Sequence, residues 1–330
     1  MIHALFLLAA LAAPQEKIFG DWAVACDNVS RCEATALQAP EQVGDIPSQM
    51  LVTREPGPAG ALAIAIDPAE LVAGPVALLV DGKQVATATI ADTYRVRGAE
   101  AEALARALAA GHWLELRGGA KSLARISLAG ISATLRHIDA EQGRVGTVTA
   151  LIAAGPKPAS AVPGAAALPV VPALRPASGG AASPSHAQLA AFARRAECDP
   201  SNDPAGLPVE RYRLDAAATL VLVPCGSGAY NFNAAAFILR GGRGAPAEFD
   251  TPPDWSEGET PAILTNASFS TVDGAVLASS AKGRGIGDCG TAQRWVWDGS
   301  RFRMIEARQL GECRGSINWL TVFRATPVWR

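Results

Sequence analysis

The segment Lys282-Gly-Arg-Gly-Ile-Gly-Asp-Cys289-Gly290 organises the second half of the chain, together with Trp295-Val-Trp-Asp-Gly299 and Cys313-Arg-Gly315 behind it. Two cysteines bracket a run of arginines, aromatic residues and glycines, a composition typical of strands joined by tight turns and closed by a disulfide. The glycines do not follow the G-x-G-x-x-G spacing, and strands rather than a helix are predicted to follow them. We therefore predict a loop that needs glycine backbone angles, and not a nucleotide site.

The cysteine count indicates a disulfide framework in an exported protein. The chain has 330 residues and six cysteines, two near its start and four after residue 190. Six cysteines allow 15 connectivities, and pairing between neighbours keeps each bond within one domain. We predict the bridges Cys26–Cys32, Cys198–Cys225 and Cys289–Cys313. The sequence contains neither CxxC nor HxxxH, so we predict no metal site and no cofactor.

The amino terminus predicts export. Residues 4–13 form an apolar run that has the length of a signal-peptide core and is too short to span a bilayer. Ala10-Leu11-Ala12 supplies a small-x-small cleavage pattern, although Met1-Ile2-His3 carries no Lys or Arg. A buried amino-terminal helix or a retained anchor remains the alternative. We predict a signal peptide over residues 1–13, a periplasmic location, and no transmembrane segment in the mature chain.

The chain is long enough for two domains, and its patterns predict an α+β fold built mostly of antiparallel strands. We predict an N-terminal domain over residues 17–150, a linker over residues 151–184 and a C-terminal domain over residues 185–330. In the first domain Trp22, Val24 and Cys26 alternate with a strand period, and Asp81-Gly82 predicts a tight hairpin turn. Two helices are predicted at residues 99–110 and about 130–142 from apolar residues at helical spacing.

The linker is rich in Ala and Pro, and only Lys157 and Arg175 are charged between residues 153 and 184. Proline denies hydrogen bonds to both helices and sheets, so we predict an extended, semi-rigid spacer rather than a proline-rich ligand. Behind it, Ser185-x-x-Gln188 predicts a capped helix. The rest of the C-terminal domain is predicted to be an antiparallel meander with turns at Asp273-Gly274 and Asp298-Gly299.

The motifs in this order resemble a known family. They are Phe19-x-Asp-Trp-x-Val-x-Cys-Asp-Asn28, Val223-Pro-Cys-Gly-x-Gly-Ala-Tyr-Asn231, and the three motifs after residue 282 given above. The sequence is similar to the bacterial domain-of-unknown-function family 1176, whose members are exported and have six cysteines. The Gly-Asp-Trp-x-x-x-Cys opening also resembles, distantly, the invasion-associated locus B proteins. The resemblance implies an envelope protein and brings no reaction with it.

The composition of the C-terminal domain favours a binding surface over a catalytic site. From residue 282 onward the sequence has nine basic and four acidic residues, and tryptophans lie among them. Arg and Trp together are typical of protein hot spots and of anion or glycan recognition. The alternative, with equal weight, is that the aromatic residues face the core. The candidate binding residues are Arg284, Asp288, Arg294, Trp295, Trp297, Arg314, Tyr230 and Asn231. The partner would be an envelope protein, a glycan or a small anion.

Catalysis is less favoured. No histidine follows His186, which removes histidine-assisted nucleophilic chemistry from this domain. A hydrolase that uses a pair of loop carboxylates remains the competing hypothesis. Its candidate residues are Asp254, Glu257, Glu259 and Asp288. The near-neutral net charge of −2 argues against general nucleic-acid binding. The sequence therefore predicts a protein of the cell envelope that binds rather than catalyses.

The two-domain prediction can be checked by limited proteolysis of the native chain. Because an exposed proline-rich spacer packs less than the domains it joins, the first cuts are expected between residues 153 and 184. Mass spectrometry of the early fragments identifies the cut sites. Equal resistance along the whole chain would count against two bodies joined by a spacer.

Overall fold

The computed structural model describes residues 16–42, 47–70, 73–198, 207–250, 262–272 and 274–330. Strands predominate in these ranges, and three helices of ten or eleven residues pack onto them. The sheets are antiparallel apart from one short parallel pair. The predicted α+β fold with mostly antiparallel sheets is thus confirmed. In the described part of the chain, no helix combines the length and the apolar content that a membrane span requires.

The first half contains two antiparallel sheets. Its strands are β1 (Lys17–Phe19), β2 (Trp22–Cys26), β3 (Cys32–Ala36), β4 (Gln49–Arg54), β5 (Leu62–Asp67), β6 (Gly74–Val80), β7 (Lys83–Ile90), β8 (Tyr94–Arg97), β9 (Trp113–Gly118) and β10 (Lys121–Ser127). The larger sheet has the order β1-β2-β3-β4-β5-β8, and the smaller has the order β10-β9-β6-β7. Strands β1 and β8 were not predicted, because three or four residues carry too little alternation to identify a strand.

Two helices, α1 (Ala99–Ala109) and α2 (Ile131–Glu141), bury their apolar faces against these sheets, as the sequence predicts. Leu104 and Leu108 of α1 share one core with Leu135 and Ile138 of α2. Helix α2 ends where Gly143 adopts a φ of +64°. There the Gly143 N–H donates to the Ala140 carbonyl, so glycine is needed for this left-handed helix end.

The packed region of the first half extends past residue 150. The carboxylate of Asp139, buried at the end of α2, accepts hydrogen bonds from the N–H groups of Leu151, Ile152 and Ala153 at 2.9–3.2 Å. The fully buried Arg144 donates to the carbonyl oxygens of the loop after β4, and burial lowers its pKa to about 10. The Asp139 contacts tie the beginning of the proline-rich segment to α2, and the Arg144 contacts tie the end of α2 to the loop after β4.

The second half contains one helix and most of the remaining strands. Its elements, preceded by one strand of the proline-rich segment, are β11 (Val170–Ala173), α3 (His186–Arg195), β12 (Glu210–Arg213), β13 (Ala218–Ser227), β14 (Phe232–Arg240), β15 (Arg243–Pro246), β16 (Ile263–Thr265), β17 (Ser268–Ser270), β18 (Val276–Lys282), β19 (Gly290–Trp297), β20 (Phe302–Leu310), β21 (Leu320–Arg324) and β22 (Thr326–Trp329). One sheet has the order β12-β13-β14-β15 with β16 paired to β14, and the other has the order β17-β18-β19-β20-β21. The second sheet is the predicted meander.

An apolar cluster lies between these two sheets. It contains Leu220 and Leu222 of β13 and the large side chains of Trp295, Trp297 and Phe302 from the meander. Helix α3 covers the other face of β13 and β14, where Phe192 stacks on Phe237 with ring centroids 4.3 Å apart. The predicted Ser185–Gln188 capping box is present, and it fixes the start of α3.

The three predicted disulfides are all present, and no cysteine is free. Cys26 and Cys32 are opposite one another on β2 and β3, so the first bridge closes a hairpin. Cys198–Cys225 holds the end of α3 against β13, and Cys289–Cys313 ties the start of β19 to the segment before β21. Each bridge is local in sequence, as the neighbour pairing predicts.

The proline-rich segment makes sheet hydrogen bonds, and the expectation that its prolines prevent them is wrong for β11. This strand pairs in parallel with β22, and the Thr326 and Arg330 N–H groups donate to the Pro169 and Ala173 carbonyls. Alternate residues of a strand point their N–H groups away from the partner, so Pro172 can lie in this pair without a lost bond. Val171 and Ala173 then cover apolar residues of the meander. Residues 163–167 and 178–180 stay exposed.

Of the predicted two-residue turns, one is present and one is longer than predicted. Asp81 and Gly82, with φ of +48° and +79°, form the two-residue hairpin turn between β6 and β7. Asp298-Gly299 does connect β19 and β20, but Trp297 pairs with Phe302, so the loop has four residues. The Asp298 carboxylate accepts the Ser300 and Arg301 N–H groups and stabilises this longer loop. Of the third turn, Asp273 lies outside the described residues.

The two halves are in contact through the outer face of the first sheet. Ala23, Ala25 and Leu37 pack against Leu320 and Val322 of β21. Small side chains on β2 allow β21 to approach closely, because alanine adds little height to a sheet surface. The apolar centre of the contact is thus made from residues of both halves.

Buried polar groups surround this apolar centre. The Glu33 carboxylate accepts the Thr321 N–H at 2.8 Å and pairs with Arg31 at 2.5 Å. At one end the Arg324 guanidinium donates to the buried Asp27 carboxylate. At the other end the Thr35 and Ser316 hydroxyls are 2.7 Å apart. Since buried polar groups are costly when unpaired, these pairs make the relative position of the halves specific.

The contact predicts a loss of stability in acid. Burial raises the pKa of Glu33, but Arg31 and the Thr321 N–H outweigh it, and the pKa lies below its ordinary value. A carboxyl with a lowered folded pKa contributes stability above its unfolded pKa of about 4.3, and this is lost as the pH falls through the folded pKa. Urea unfolding from pH 7 to pH 3 should therefore show a falling free energy of unfolding below about pH 4.3.

The Glu33→Gln variant should lose roughly 1–2 kcal/mol of stability at pH 7 and show a shallower acid slope. Glu41→Gln, which removes a charge from an exposed site in the same half, serves as the matched control. If Glu33→Gln retained wild-type stability and slope, the buried carboxylate would not hold the halves together.

Candidate functional site

The segment between β18 and β19 forms a projecting loop. We call residues 283–288 the glycine loop. Lys282 and the next four residues are all exposed. The loop closes on itself, since the Gly283 N–H donates to the Cys289 carbonyl and the Gly287 N–H to the Arg284 carbonyl, both at 2.9 Å. Gly287 has a φ of +72°, a conformation that glycine adopts without strain.

A disulfide forms the base of the glycine loop. Cys289 follows the loop directly and is bonded to Cys313. We call residues 311–319, which contain no regular secondary structure, the coil segment. Gly283 lies against the bridge, because a Cβ placed there would be 2.6 Å from the Cys289 sulfur. The Trp319 indole N–H also donates to the Gly287 carbonyl at 3.0 Å, so the coil segment supports the loop at two points.

Asp288 is an internal anchor of the loop. Its fully buried carboxylate accepts from the Arg284 guanidinium at 2.6 Å and from the Gly315 N–H at 2.7 Å. The hydrogen bonds from Arg284 lower the pKa of Asp288 most, burial opposes them, and the Gly315 N–H adds to the lowering. An ionised, fully engaged carboxylate is suited to structure rather than to proton donation.

Tyr230 and Asn231 approach the loop from the other sheet. The Tyr230 hydroxyl donates to the Gly283 carbonyl at 3.1 Å. Asn231 exchanges two hydrogen bonds with the backbone of Lys282, at 2.9 and 3.1 Å. Asn266 joins this group by donating to the Asn231 side chain and to the Ser280 carbonyl. Three side chains from the β14 side therefore fix the position at which the glycine loop begins.

Arg314 contacts the first half rather than open solvent. Its guanidinium donates to the carbonyl oxygens of Gly20 and Gln38 and is paired with the Asp21 carboxylate. With its donors directed at these groups, Arg314 fixes the coil segment to the first half. Arg314 thus belongs to the contact between the two halves of the chain.

Three other candidate residues lie away from the loop. Trp295 and Trp297 have no exposed surface and belong to the core between the two sheets, so the expectation that they form a surface with the arginines is wrong. The Trp297 indole N–H donates to the Asp215 carboxylate at 2.8 Å, which explains how a buried tryptophan is satisfied. Arg294 is partly exposed on β19 and lies 3.9 Å from Glu306.

Only one of the four carboxylates of the hydrolase hypothesis lies in the described residues. Asp254, Glu257 and Glu259 lie outside the described ranges. The fourth, Asp288, is occupied as described above. Of these four candidates, the described part of the chain thus contains one, and its carboxylate is engaged in structural contacts.

Two exposed isoleucines were missed by the sequence analysis. Ile286 is 68% exposed on the glycine loop and Ile317 is 62% exposed on the coil segment. A β-branched apolar residue between Gly285 and Gly287 was the available signal, because a residue flanked by glycines in a turn cannot belong to a packed strand. The two segments that carry these side chains are joined by the disulfide and by Asp288.

A shallow cleft of about 270 Å³ lies beside the same region. Its walls include Leu222, Pro224, Ala234 and the 42% exposed Phe232, with Asn266 at one side. Glu210 and Asn233 also line the cleft, so its walls are both apolar and polar, and Asn266 takes part in the hydrogen bonds that support the glycine loop. A cleft of mixed polarity thus lies close to the residues that support the glycine loop.

The Asp288→Ala variant should be destabilised by about 1–3 kcal/mol, because it leaves the Gly315 N–H unpaired and removes the partner of Arg284. Glu306→Ala is the matched control. Glu306 also faces two arginines, at 3.8 and 3.9 Å, but at the surface, so its loss should cost about 0–1 kcal/mol. Chemical unfolding measures both, and equal costs would contradict the anchoring role of Asp288.

The comparison with known proteins identifies relatives along nearly the whole chain. An uncharacterized protein of Escherichia coli K12, YpfG, is 30% identical over 352 aligned positions that cover 98% of each chain. The crystal structure of invasion associated protein b from Bartonella henselae shows a weak likeness, with 18% identity and a TM-score of 0.30 over 39% of this chain and 99% of that one. The family model described as a protein of unknown function (DUF1176) matches residues 16–326. The chain therefore belongs to the DUF1176 family.

Proposed function

We propose that this chain is an exported protein of the cell envelope that binds a protein partner through the glycine loop and the coil segment, and that it does not act as an enzyme. The observation that carries the proposal is an exposed loop that is fixed on every side. The loop is held by a disulfide, by an ion pair between Arg284 and the buried Asp288, and by side chains from a second sheet.

Export is supported by the cysteines. All six are paired in three local bridges, and disulfides persist in oxidising compartments such as the periplasm. The apolar run at residues 4–13 has the character of a signal peptide. In a bacterial family, the periplasm is the compartment most consistent with both the paired cysteines and the apolar amino-terminal run.

A rigid loop favours binding, because the entropy of ordering it has already been lost during folding. Ile286 and Ile317 present branched apolar side chains to solvent from this fixed support. Isolated exposed apolar residues are ordinary, but two on segments joined by a disulfide favour a contact surface. Lys282 adds positive charge at its edge.

A protein partner fits this surface better than a glycan or a small anion does. Glycan recognition relies on exposed aromatic faces, yet Trp295 and Trp297 are buried. Anion recognition needs guanidinium groups with free donors, yet Arg284 is paired with Asp288 and Arg314 with Asp21. Exposed aliphatic side chains on a rigid loop are complementary to an apolar depression in another protein.

The proposal is tested with Ile286→Asp and Ile317→Asp variants. Retention of envelope proteins on the immobilised chain is compared with the wild type, followed by crosslinking and mass spectrometry. Each variant should lower the affinity for the specific partner by about tenfold or more, since an aliphatic side chain that is buried on binding contributes roughly 1.5–3 kcal/mol. Thermal unfolding should be unchanged, because both side chains are exposed.

Val272→Asp is the matched control. Val272 is 90% exposed in the same half, but it precedes β18 whereas the glycine loop follows that strand. It should retain the partner as the wild type does. Absence of any retained partner, or equal weakening by the control, would contradict binding through the glycine loop.

A further inference from the structure

The three disulfides differ in accessibility. Cys313 is exposed, whereas its partner Cys289 retains only 2% of its surface. Cys32 has no exposed surface, and Cys26, Cys198 and Cys225 are partly buried. Since a thiolate must reach a sulfur atom to exchange with it, access favours reaction at Cys313.

The three bridges also differ in how far apolar side chains surround them. Cys26 and Cys32 pack with the core of the first half, and Cys198 and Cys225 pack with the cluster beneath α3. Cys289–Cys313 lies in none of the apolar clusters formed by the described residues. It is bordered by Gly283, where a Cβ would lie 2.6 Å from the Cys289 sulfur and 3.4 Å from the Cys313 sulfur, so no apolar side chain packs on the bridge from that position. Apolar burial protects the first two bridges, and the third lacks that protection.

This bridge also has the widest structural role. It connects the start of β19 and the glycine loop to the coil segment. The coil segment in turn contacts the first half through Arg314, through Ser316 with Thr35, and through Ile317 with Gln49. Without the covalent link, the coil segment would keep its contacts with the first half and lose its strongest link to the glycine loop.

We propose that Cys289–Cys313 is a thiol–disulfide exchange site for a dithiol protein, attacked at Cys313, and that its reduction loosens the glycine loop. The thiolate of the dithiol forms a bond to the Cys313 sulfur, the Cys289–Cys313 bond breaks, and Cys289 leaves as a thiolate that takes up a proton. The second thiol of the dithiol then attacks the mixed disulfide. It releases Cys313 as a thiol, and the dithiol is oxidised to a disulfide as the two electrons pass to the bridge.

The first test traps the mixed disulfide on the native wild-type chain. The probe is a thioredoxin-fold dithiol protein whose resolving cysteine is replaced by serine, so the intermediate accumulates. Peptide mapping should find the probe attached to Cys313. Trapping at Cys289, at any of the other four cysteines, or not at all would overturn the assignment. The chain unfolded in urea, where all three bridges react, is the control that the probe is active.

The second test follows the consequence of reduction without reference to any partner. Low concentrations of dithiothreitol are titrated onto the native protein, and differential alkylation shows which bridge opens. Cys289–Cys313 should open first, and amide hydrogen exchange at residues 283–288 should then rise by roughly tenfold or more. Exchange in β2 and β3 should be unchanged, because the halves keep their own contacts. Earlier opening of another bridge, or an unchanged glycine loop after reduction, would overturn the proposal.

Discussion

The bond between Cys289 and Cys313 is the constraint on which the arrangement of the glycine loop and the coil segment depends. It brings the coil segment, which has no regular secondary structure, to the edge of the meander. The buried Asp288 carboxylate reinforces the bond by accepting from Arg284 on the loop and from Gly315 on the coil segment. A turn rich in glycine is held in one conformation because covalent and ionic contacts replace the backbone restriction that side chains would supply. A fixed exposed loop is the physical basis of the binding role proposed for it.

The same coil segment joins the halves of the chain. Arg314 and Ser316 reach the first sheet on one side, while Asp288 and the disulfide hold the segment on the other. The apolar contact between Ala23 and Val322 and the buried Glu33 complete the joint. The binding site proposed at the glycine loop therefore lies beside the contact between the halves. The proline-rich segment adds to the joint through β11 rather than acting only as a spacer.

The features that are local in sequence were predictable. Neighbour pairing identified the three disulfides, helical spacing identified α1 and α2, and Ser185 with Gln188 identified the start of α3. Properties set by distant parts of the chain were not. Alternation places Trp295 and Trp297 on one face of a strand but does not tell which face another sheet covers. The pairing of β11 with β22 joins residues about 150 positions apart, and no local pattern specifies such a partner. Tyr230 and Asn231 were identified as candidates, but their contact with Lys282 follows only from the packing of two sheets.

The central claim is that oxidised, locally closed bridges in an exported chain hold the loop and the joint between the halves. Non-reducing peptide mapping of the native protein isolated from cells, with free thiols blocked at lysis, tests it most directly. The account predicts three bridges, Cys26–Cys32, Cys198–Cys225 and Cys289–Cys313, and an amino terminus that begins near residue 13. Free thiols in the freshly isolated protein, a bridge between the two halves, or a chain that still begins at Met1 would contradict it.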